Sequence, residues 1–430
     1  MEHFRFIINL AALFWLCFHA MAKLEDRRYS MSCENGVCWR PDDEGPCEVD
    51  NDKPKLFRWE PIKKGYTREL ELEPGKKYKM TTMANKPPIF EIRNFLSPEE
   101  CEQIKNLATG KGLHTSIVHF DEHLLEKRKN IEGHAEGAAS SFGSWDKNQD
   151  LSITKDEFMH FAVNYKYAYL TEEDVDNMIN KLKLKEMDDG KVTLQEFSTF
   201  PTASIDSYIN VLKQYHPRHK ERYSNQAWLP HGRSADPVIR RLRERIKVLT
   251  RLPEEIIRGS EPLQVVRYDE NGHYNGHYDS QSITAHPRDY KCCHTTVAST
   301  PHCRLCRYAT VLYYLNDVEE GGETAFPAAD NETYREEDLV KNVTGDVFNL
   351  LQNCHKARLV VPPEKGKAIL WYNHFVDEDT GFMGERDDYT IHGGCGVTKG
   401  YKWVANNWIT APDLENIDYK SSFDDDATTT

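Results

Sequence analysis

Along the second half of the chain, apolar and polar positions alternate in short runs separated by turns bearing Gly and Asn. Leu263–Tyr268 (LQVVRY) is followed by residues 269–276 (DENGHYNG) and then by His277-Tyr278-Asp279. Strand, Gly/Asn turn, strand is the signature of a hairpin with a longer loop. Residues 307–315 (RYATVLYYL) alternate so that Thr310, Leu312 and Tyr314 share one face. Two further β-rich runs occur at 367–373 (KAILWYN) and 400–408 (GYKWVANNW). Short β-runs with turns between them predict an antiparallel, barrel-like sandwich of the jelly-roll kind.

Helical spacing appears upstream of these strands. Ser97-Pro98-Glu99-Glu100 marks a helix start, with serine as N-cap, proline in the first turn and Glu100 closing a capping box. Phe95 and Leu96 precede it, and Ile104 and Leu107 form its buried stripe. From about 134 to 205 the pattern is helical, including 171–182 (TEEDVDNMINKL), and Pro201 closes this stretch. In residues 236–249 (DPVIRRLRERIKVL), Val238, Leu242, Ile246 and Leu249 recur at helical spacing. That spacing puts the arginines on a solvated face. Segment 55–94 alternates in places, as at 66–72, and adds strands to the main sheet. The chain thus reads as an α+β protein. Its parts are an N-terminal signal (1–22), a Cys-bearing leader (23–54), a main domain in two pieces (55–133 and 206–412), a helical insertion (134–205) and an acidic tail (413–430).

The insertion carries a calcium-loop pattern. Asp146, Asn148, Asp150, Thr154 and Glu157 occupy loop positions 1, 3, 5, 9 and 12, with the Ser152 carbonyl at 7 and Ile153 at the apolar position 8. Calcium needs such an oxygen-rich shell, with the last glutamate bidentate. Position 6 is Leu151, where glycine normally makes the turn; a left-handed backbone there costs roughly 1–2 kcal/mol and weakens affinity. In a second such frame Gly190, Val192 and Glu196 fall at positions 6, 8 and 12. Lys185 and Met187 fall at 1 and 3, where they supply no carboxylate. This half completes a pair structurally.

Candidate chemistry lies in the β-rich half. His277 and Asp279 are two apart, so on a strand they face the same way. His392 follows 115 residues later, and Lys402 ten beyond that. Two imidazoles and one carboxylate leave half a coordination sphere open, which suits non-haem Fe(II) that must also bind a co-substrate and O2. Lys402 offers a positive charge for the far carboxylate of an organic acid. The bland readings are structural histidines and a strand-edge lysine that blunts aggregation.

The segments EPLQVVRYDENGHYNGHYDS (261–280), RYATVLYYLNDVEEGGETAFP (307–327), GKAILWYN (366–373) and HGGCGVTKGYKWVANNWI (392–409) resemble the 2-oxoglutarate-dependent prolyl 4-hydroxylases, as does the upstream FLSPEECEQIKNLA (95–108). The likeness is nearest to the endoplasmic-reticulum transmembrane subfamily, which carries an EF-hand insertion. It implies a double-stranded β-helix (jelly-roll) catalytic domain in which His277, Asp279 and His392 hold iron and Lys402 pairs with the distal carboxylate of 2-oxoglutarate. Tyr268 and Tyr314 fall where related enzymes place co-substrate contacts. The implied reaction hydroxylates a peptidyl proline at C4 while 2-oxoglutarate is decarboxylated to succinate and CO2, with O2 and ascorbate required and calcium as a modulator. Residue chemistry alone leaves open another side chain, such as lysine, or a calcium-responsive binding module without catalysis.

Composition narrows this further. With 69 acidic against 55 basic residues the net charge is −14, which argues against nucleic acid as a partner and does not exclude a protein substrate; the resemblance implies a proline-containing peptide or protein. Residues 6–18 form a largely apolar run before Ala20-Met21-Ala22. Such a run is short for a spanning helix and reads as a cleaved secretory signal, with a membrane signal-anchor as the rival. Eleven cysteines, Cys17 among them, leave an even ten after cleavage. Two sequons, at Asn331 and Asn342, fit the lumen of the endoplasmic reticulum. The Cys292-Cys293-His294…His302-Cys303…Cys306 cluster reads as a disulfide-stapled loop in that compartment, with a zinc knot as the alternative.

Overall fold

The computed structural model describes residues 32–34, 37–39, 56–116, 142–166, 168–232, 234–284, 291–293, 303–335 and 349–411. The apolar N-terminal run, His294 and His302, the Asn342 sequon and the tail lie outside them. Two compact units are present, Met1–Pro54 and Lys55–Thr430. In the first, Ser32–Glu34 and Val37–Trp39 pair antiparallel.

The second unit begins with strands β1 (Thr67–Glu73), β2 (Lys76–Ala84) and β3 (Ile89–Ile92), helix α1 (Pro98–Lys111) and the short β4 (His114–Thr115). A helical section follows, with β5 (Ser152–Thr154), α2 (Lys155–Lys166), α3 (Glu172–Leu182), β6 (Lys191–Thr193) and α4 (Thr202–Tyr215). Then come β7 (Arg222–Tyr223), β8 (Asn225–Leu229), α5 (Pro237–Thr250), β9 (Leu263–Tyr268), β10 (His273–His277), β11 (Arg307–Tyr314) and β12 (Thr324–Phe326). The chain ends in α6 (Leu350–Asn353), β13 (Leu359–Val361), β14 (Ala368–Tyr372), β15 (His392–Gly394) and β16 (Lys402–Thr410).

A nine-stranded sheet runs β1-β2-β3-β14-β11-β16-β9-β8-β4, and a five-stranded sheet runs β13-β12-β15-β10-β7. Their ladders are antiparallel. One core lies between the sheets: Val266, Tyr268, Leu312, Tyr314, Trp371 and Val404 of the large sheet meet Phe326, Leu359 and Val361 of the small one. The opposite face of the large sheet, with Val265, Ala309, Val311 and Tyr313, packs on α1 and α5. Strand β11 is central and every residue in it is buried. Its alternation sends Thr310, Leu312 and Tyr314 towards the small sheet and their neighbours towards the helices.

The start of α1 follows local chemistry: Ser97 accepts from the Glu100 amide, and the Glu100 carboxylate accepts from the Ser97 amide. Helix α5 buries Val238, Leu242, Ile246 and Leu249. Its arginines do not all face water, because Arg245 is buried and donates to Glu100 and Glu73. A guanidinium that spans two carboxylates and the Phe95 carbonyl has its charge compensated, which is what permits burial.

Three other expectations change. The 263–279 stretch is no hairpin: β9 pairs with β8 and β16, whereas β10 pairs with β15 and β7. The turn between them carries the chain from one sheet to the other. The helical section does not stop at Pro201, because α4 buries Ile205 and Ile209 in the same cluster as Trp145, Phe158 and Val192. Cys101 is a free, buried thiol, so the even cysteine count does not resolve into pairs. Cys354 and Cys395 form a disulfide, and Cys306 is also disulfide-bonded.

Candidate active site

Strands β10 and β15 pair so that His277 stands opposite His392, with ring centroids 4.6 Å apart. Each Nδ1 lies 2.8 Å from a backbone carbonyl, that of Asn275 for His277 and that of Thr390 for His392. Those carbonyls hold the proton on Nδ1 and leave the Nε2 lone pairs free. Asp279 is not on the strand, which ends at His277. The bend after the strand brings its carboxylate round to the same point. His277 Nε2 is 3.8 Å from Oδ1, and His392 Nε2 is 3.5 Å from Oδ2. The three residues offer ligand atoms all within 4.8 Å of one another.

A relay of side chains fixes the carboxylate. Thr310 on β11 donates to Asp279 Oδ2 at 2.7 Å, Asn373 Nδ2 donates to Thr310 at 2.9 Å, and the Trp371 indole donates to Asn373 at 2.9 Å. The Trp371 ring also meets His392 edge-on, with centroids 4.7 Å apart. Arg307 reaches the Asp279 carbonyl at 3.4 Å while Glu261 takes its guanidinium from two sides. Sequence reasoning named none of Thr310, Asn373, Glu261 and Arg307 as site residues. The alternation that aligned Thr310 with Leu312 and Tyr314 was the one usable signal.

Electrostatics agree with a cation site. Burial, then the neighbouring His392, pulls His277 down to about 3, so it stays neutral with its lone pair available. Burial works to raise the Asp279 pKa, yet His392, His277 and Arg307 together hold it below the usual carboxylate range. The donor set of two imidazoles and one carboxylate fits a divalent metal with open positions.

Lys402 opens β16 and is buried in the same cavity, which holds about 260 Å³. Its Nζ lies 3.5 Å from the Glu323 carbonyl, and burial pulls it down to about 7. Tyr268 lines the cavity, with its ring 5.4 Å from the Lys402 Nζ. Tyr314 stands one layer behind and donates to Thr324, itself a lining residue, at 2.7 Å. A Cβ at Gly394 would sit 3.7 Å from Nζ and 4.0 Å from the Tyr268 hydroxyl. The absent side chain therefore keeps this end of the cavity open. Tyr274, Tyr278, Arg307 and Trp408 also line the cavity.

Two facing antiparallel sheets, a two-histidine, one-carboxylate face and a buried lysine define a 2-oxoglutarate-dependent Fe(II) oxygenase, and residues 263–410 match the 2OG-Fe(II) oxygenase superfamily. The mouse transmembrane prolyl 4-hydroxylase is 40% identical over 357 residues, 82% of this chain and 69% of that protein. The human one is 38% identical over the same shares. A solved viral collagen prolyl hydroxylase from Paramecium bursaria Chlorella virus-1 is 25% identical over 48% of this chain and 89% of that one, with a TM-score of 0.27. The chain belongs to the transmembrane prolyl 4-hydroxylase family.

Proposed function

We propose that this chain hydroxylates C4 of a proline in a peptide or protein, with His277, Asp279 and His392 holding Fe(II) and Lys402 holding the distal carboxylate of 2-oxoglutarate. One observation carries the assignment: three potential ligand groups within 4.8 Å share a cavity with a buried lysine. When bound, iron with 2-oxoglutarate and O2 supplies the oxidising power for C–H hydroxylation, releasing succinate and CO2. The chain's own part is placement. Lys402 fixes one end of the co-substrate, and the Thr310 relay fixes Asp279. The sheet pair is then a double-stranded β-helix whose small sheet carries both histidines.

The test is succinate release with Fe(II), ascorbate and 2-oxoglutarate, followed by mass spectrometry of a proline-peptide library. His392→Ala and Asp279→Ala abolish turnover while the protein remains folded. Substantial turnover by either variant at saturating iron refutes the ligand set.

A calcium-binding EF-hand pair in the helical section is supported by its backbone. Ile153 on β5 pairs with Val192 on β6, joining the two loops. Leu151 adopts a left-handed φ of 67°, the turn that position 6 requires. Asp146 Oδ1 and Oδ2 accept the Asp150 and Leu151 amides, as a loop wrapped around its first ligand would. The second loop has Lys185 and Met187 where the first has Asp146 and Asn148, so it contributes structure rather than carboxylate ligands. Calorimetry with calcium at millimolar concentration tests this, and absence of heat removes the first site. Lumenal residence in the endoplasmic reticulum is supported by the Cys354–Cys395 disulfide. Among the described residues no helix is long and apolar enough to cross a membrane.

A further inference from the structure

The cavity holds two guanidinium groups, and they are treated differently. Arg307 is neutralised by Glu261, which takes both Nε and Nη2. Arg222 also lines the cavity, yet among the described residues no carboxylate forms an ion pair with it. Its place is nonetheless well fixed. Arg222 pairs with Tyr274 across β7 and β10, and its guanidinium carbon lies 4.5 Å over the Tyr274 ring. That ring in turn stacks on His277 with centroids 3.5 Å apart. The Nε donates to Ser224 at 2.9 Å, and Ser224 is tied to Ser116 at 2.8 Å. The guanidinium charge also offsets part of the burial that raises the Tyr268 phenol pKa.

The strand that delivers Arg222 is strapped on both sides. Tyr169 of the helical section donates to the Glu221 carboxylate at 2.9 Å, and the Asn275 amide donates to the Glu221 carbonyl at 2.9 Å. His273 Nε2 lies 2.7 Å from the Lys220 carbonyl. Residues 220–222 therefore connect the exit of the helical section to the histidine strand and set the arginine at the cavity wall.

A cavity wall with two cations that lack carboxylate partners, Lys402 and Arg222, matches a ligand with two carboxylates. The Tyr268 ring lies 5.4 Å from the Lys402 Nζ, and its hydroxyl faces the gap that Gly394 leaves beside Lys402. We propose that Arg222 is a second cationic contact for the 2-oxoglutarate dicarboxylate, acting beside Lys402 and Tyr268. The inference rests on the reading of this cavity as a 2-oxoglutarate site, and it adds a residue outside the matched 263–410 segment.

Titrating 2-oxoglutarate into the full-length, Mn(II)-loaded protein by calorimetry tests this without turnover. Arg222→Gln weakens 2-oxoglutarate binding roughly 10- to 100-fold, the range for a lost hydrogen-bonded charge, and leaves Mn(II) affinity unchanged. Arg222→Lys keeps the charge and recovers part of the loss. If the glutamine variant does not fold, the lysine variant carries the test with a smaller expected loss. In steady state, KM for 2-oxoglutarate rises while KM for the peptide holds. Wild-type affinity in Arg222→Gln overturns the proposal, as does an effect confined to the peptide KM, which makes Arg222 a peptide contact. Lys402→Ala separates the two levels. If it weakens binding and Arg222→Gln does not, only the arginine's role falls. If neither does, the cavity is not the 2-oxoglutarate site.

Discussion

Burial brings Lys402 down to about 7, and this makes co-substrate binding a proton-linked event. The groups facing its ammonium are the Glu323 carbonyl at 3.5 Å and the rings of Tyr268 and Tyr314 at 5.4 and 5.8 Å. A bound carboxylate favours the charged form and raises the pKa. The ligand-free site therefore holds fewer protons than the loaded site above pH 7, so binding takes up a proton and affinity falls as pH rises. From a free-site value of about 7, uptake is about half a proton at pH 7 and about 0.9 at pH 8. From pH 7 to 8 the dissociation constant climbs about fivefold, approaching about tenfold per pH unit beyond that until the pKa of the loaded site is reached. Calorimetry of 2-oxoglutarate binding to the Mn(II)-loaded protein in two buffers of different ionisation enthalpy reads both quantities. Constant affinity from pH 6 to 9, with no buffer-dependent heat, refutes the reasoning. The same burial has a cost in the ligand-free fold. Between pH 7 and the ordinary lysine value of 10.5 the unfolded lysine holds more protons than the folded one, so stability rises with pH. Lys402→Met at pH 7 accordingly raises Tm while abolishing 2-oxoglutarate binding.

Other outcomes follow from single contacts. Thr310→Val removes the donor to Asp279 and leaves Asn373 Nδ2 without its acceptor; metal affinity falls about 10- to 100-fold, read by Mn(II) titration. Cys354→Ser opens a bond that spans 41 residues and costs about 4 kcal/mol by chain entropy, read by urea melting in non-reducing buffer. Leu151→Gly relieves the left-handed backbone at φ 67° and tightens calcium binding several-fold, since about 1 kcal/mol of strain is released, read by calcium titration.

Elements with local causes were legible from residue order. The capping box at Ser97 and the apolar stripe of α5 are short-range chemistry, and both formed as expected. So did the shared face of Thr310, Leu312 and Tyr314, because a central strand must alternate between the two layers it separates. The hairpin at 263–279 failed for the opposite reason. Turn chemistry specifies that the chain bends, but which strand pairs with the next depends on partners more than 100 residues away. Arg245 likewise looks solvated by helical period, and only Glu100 and Glu73, brought in from other elements, compensate its burial.

Residue types and their order were enough to nominate His277, Asp279, His392 and Lys402, because metal and anion chemistry accepts few side chains. Folding decided the rest: the opposition of the two histidines across a ladder, the turn that returns Asp279 to them, the Thr310 relay and the placing of Arg222. Those depend on distances between strands remote in sequence. No local pattern encodes such distances, since they arise only when two sheets bury a common core.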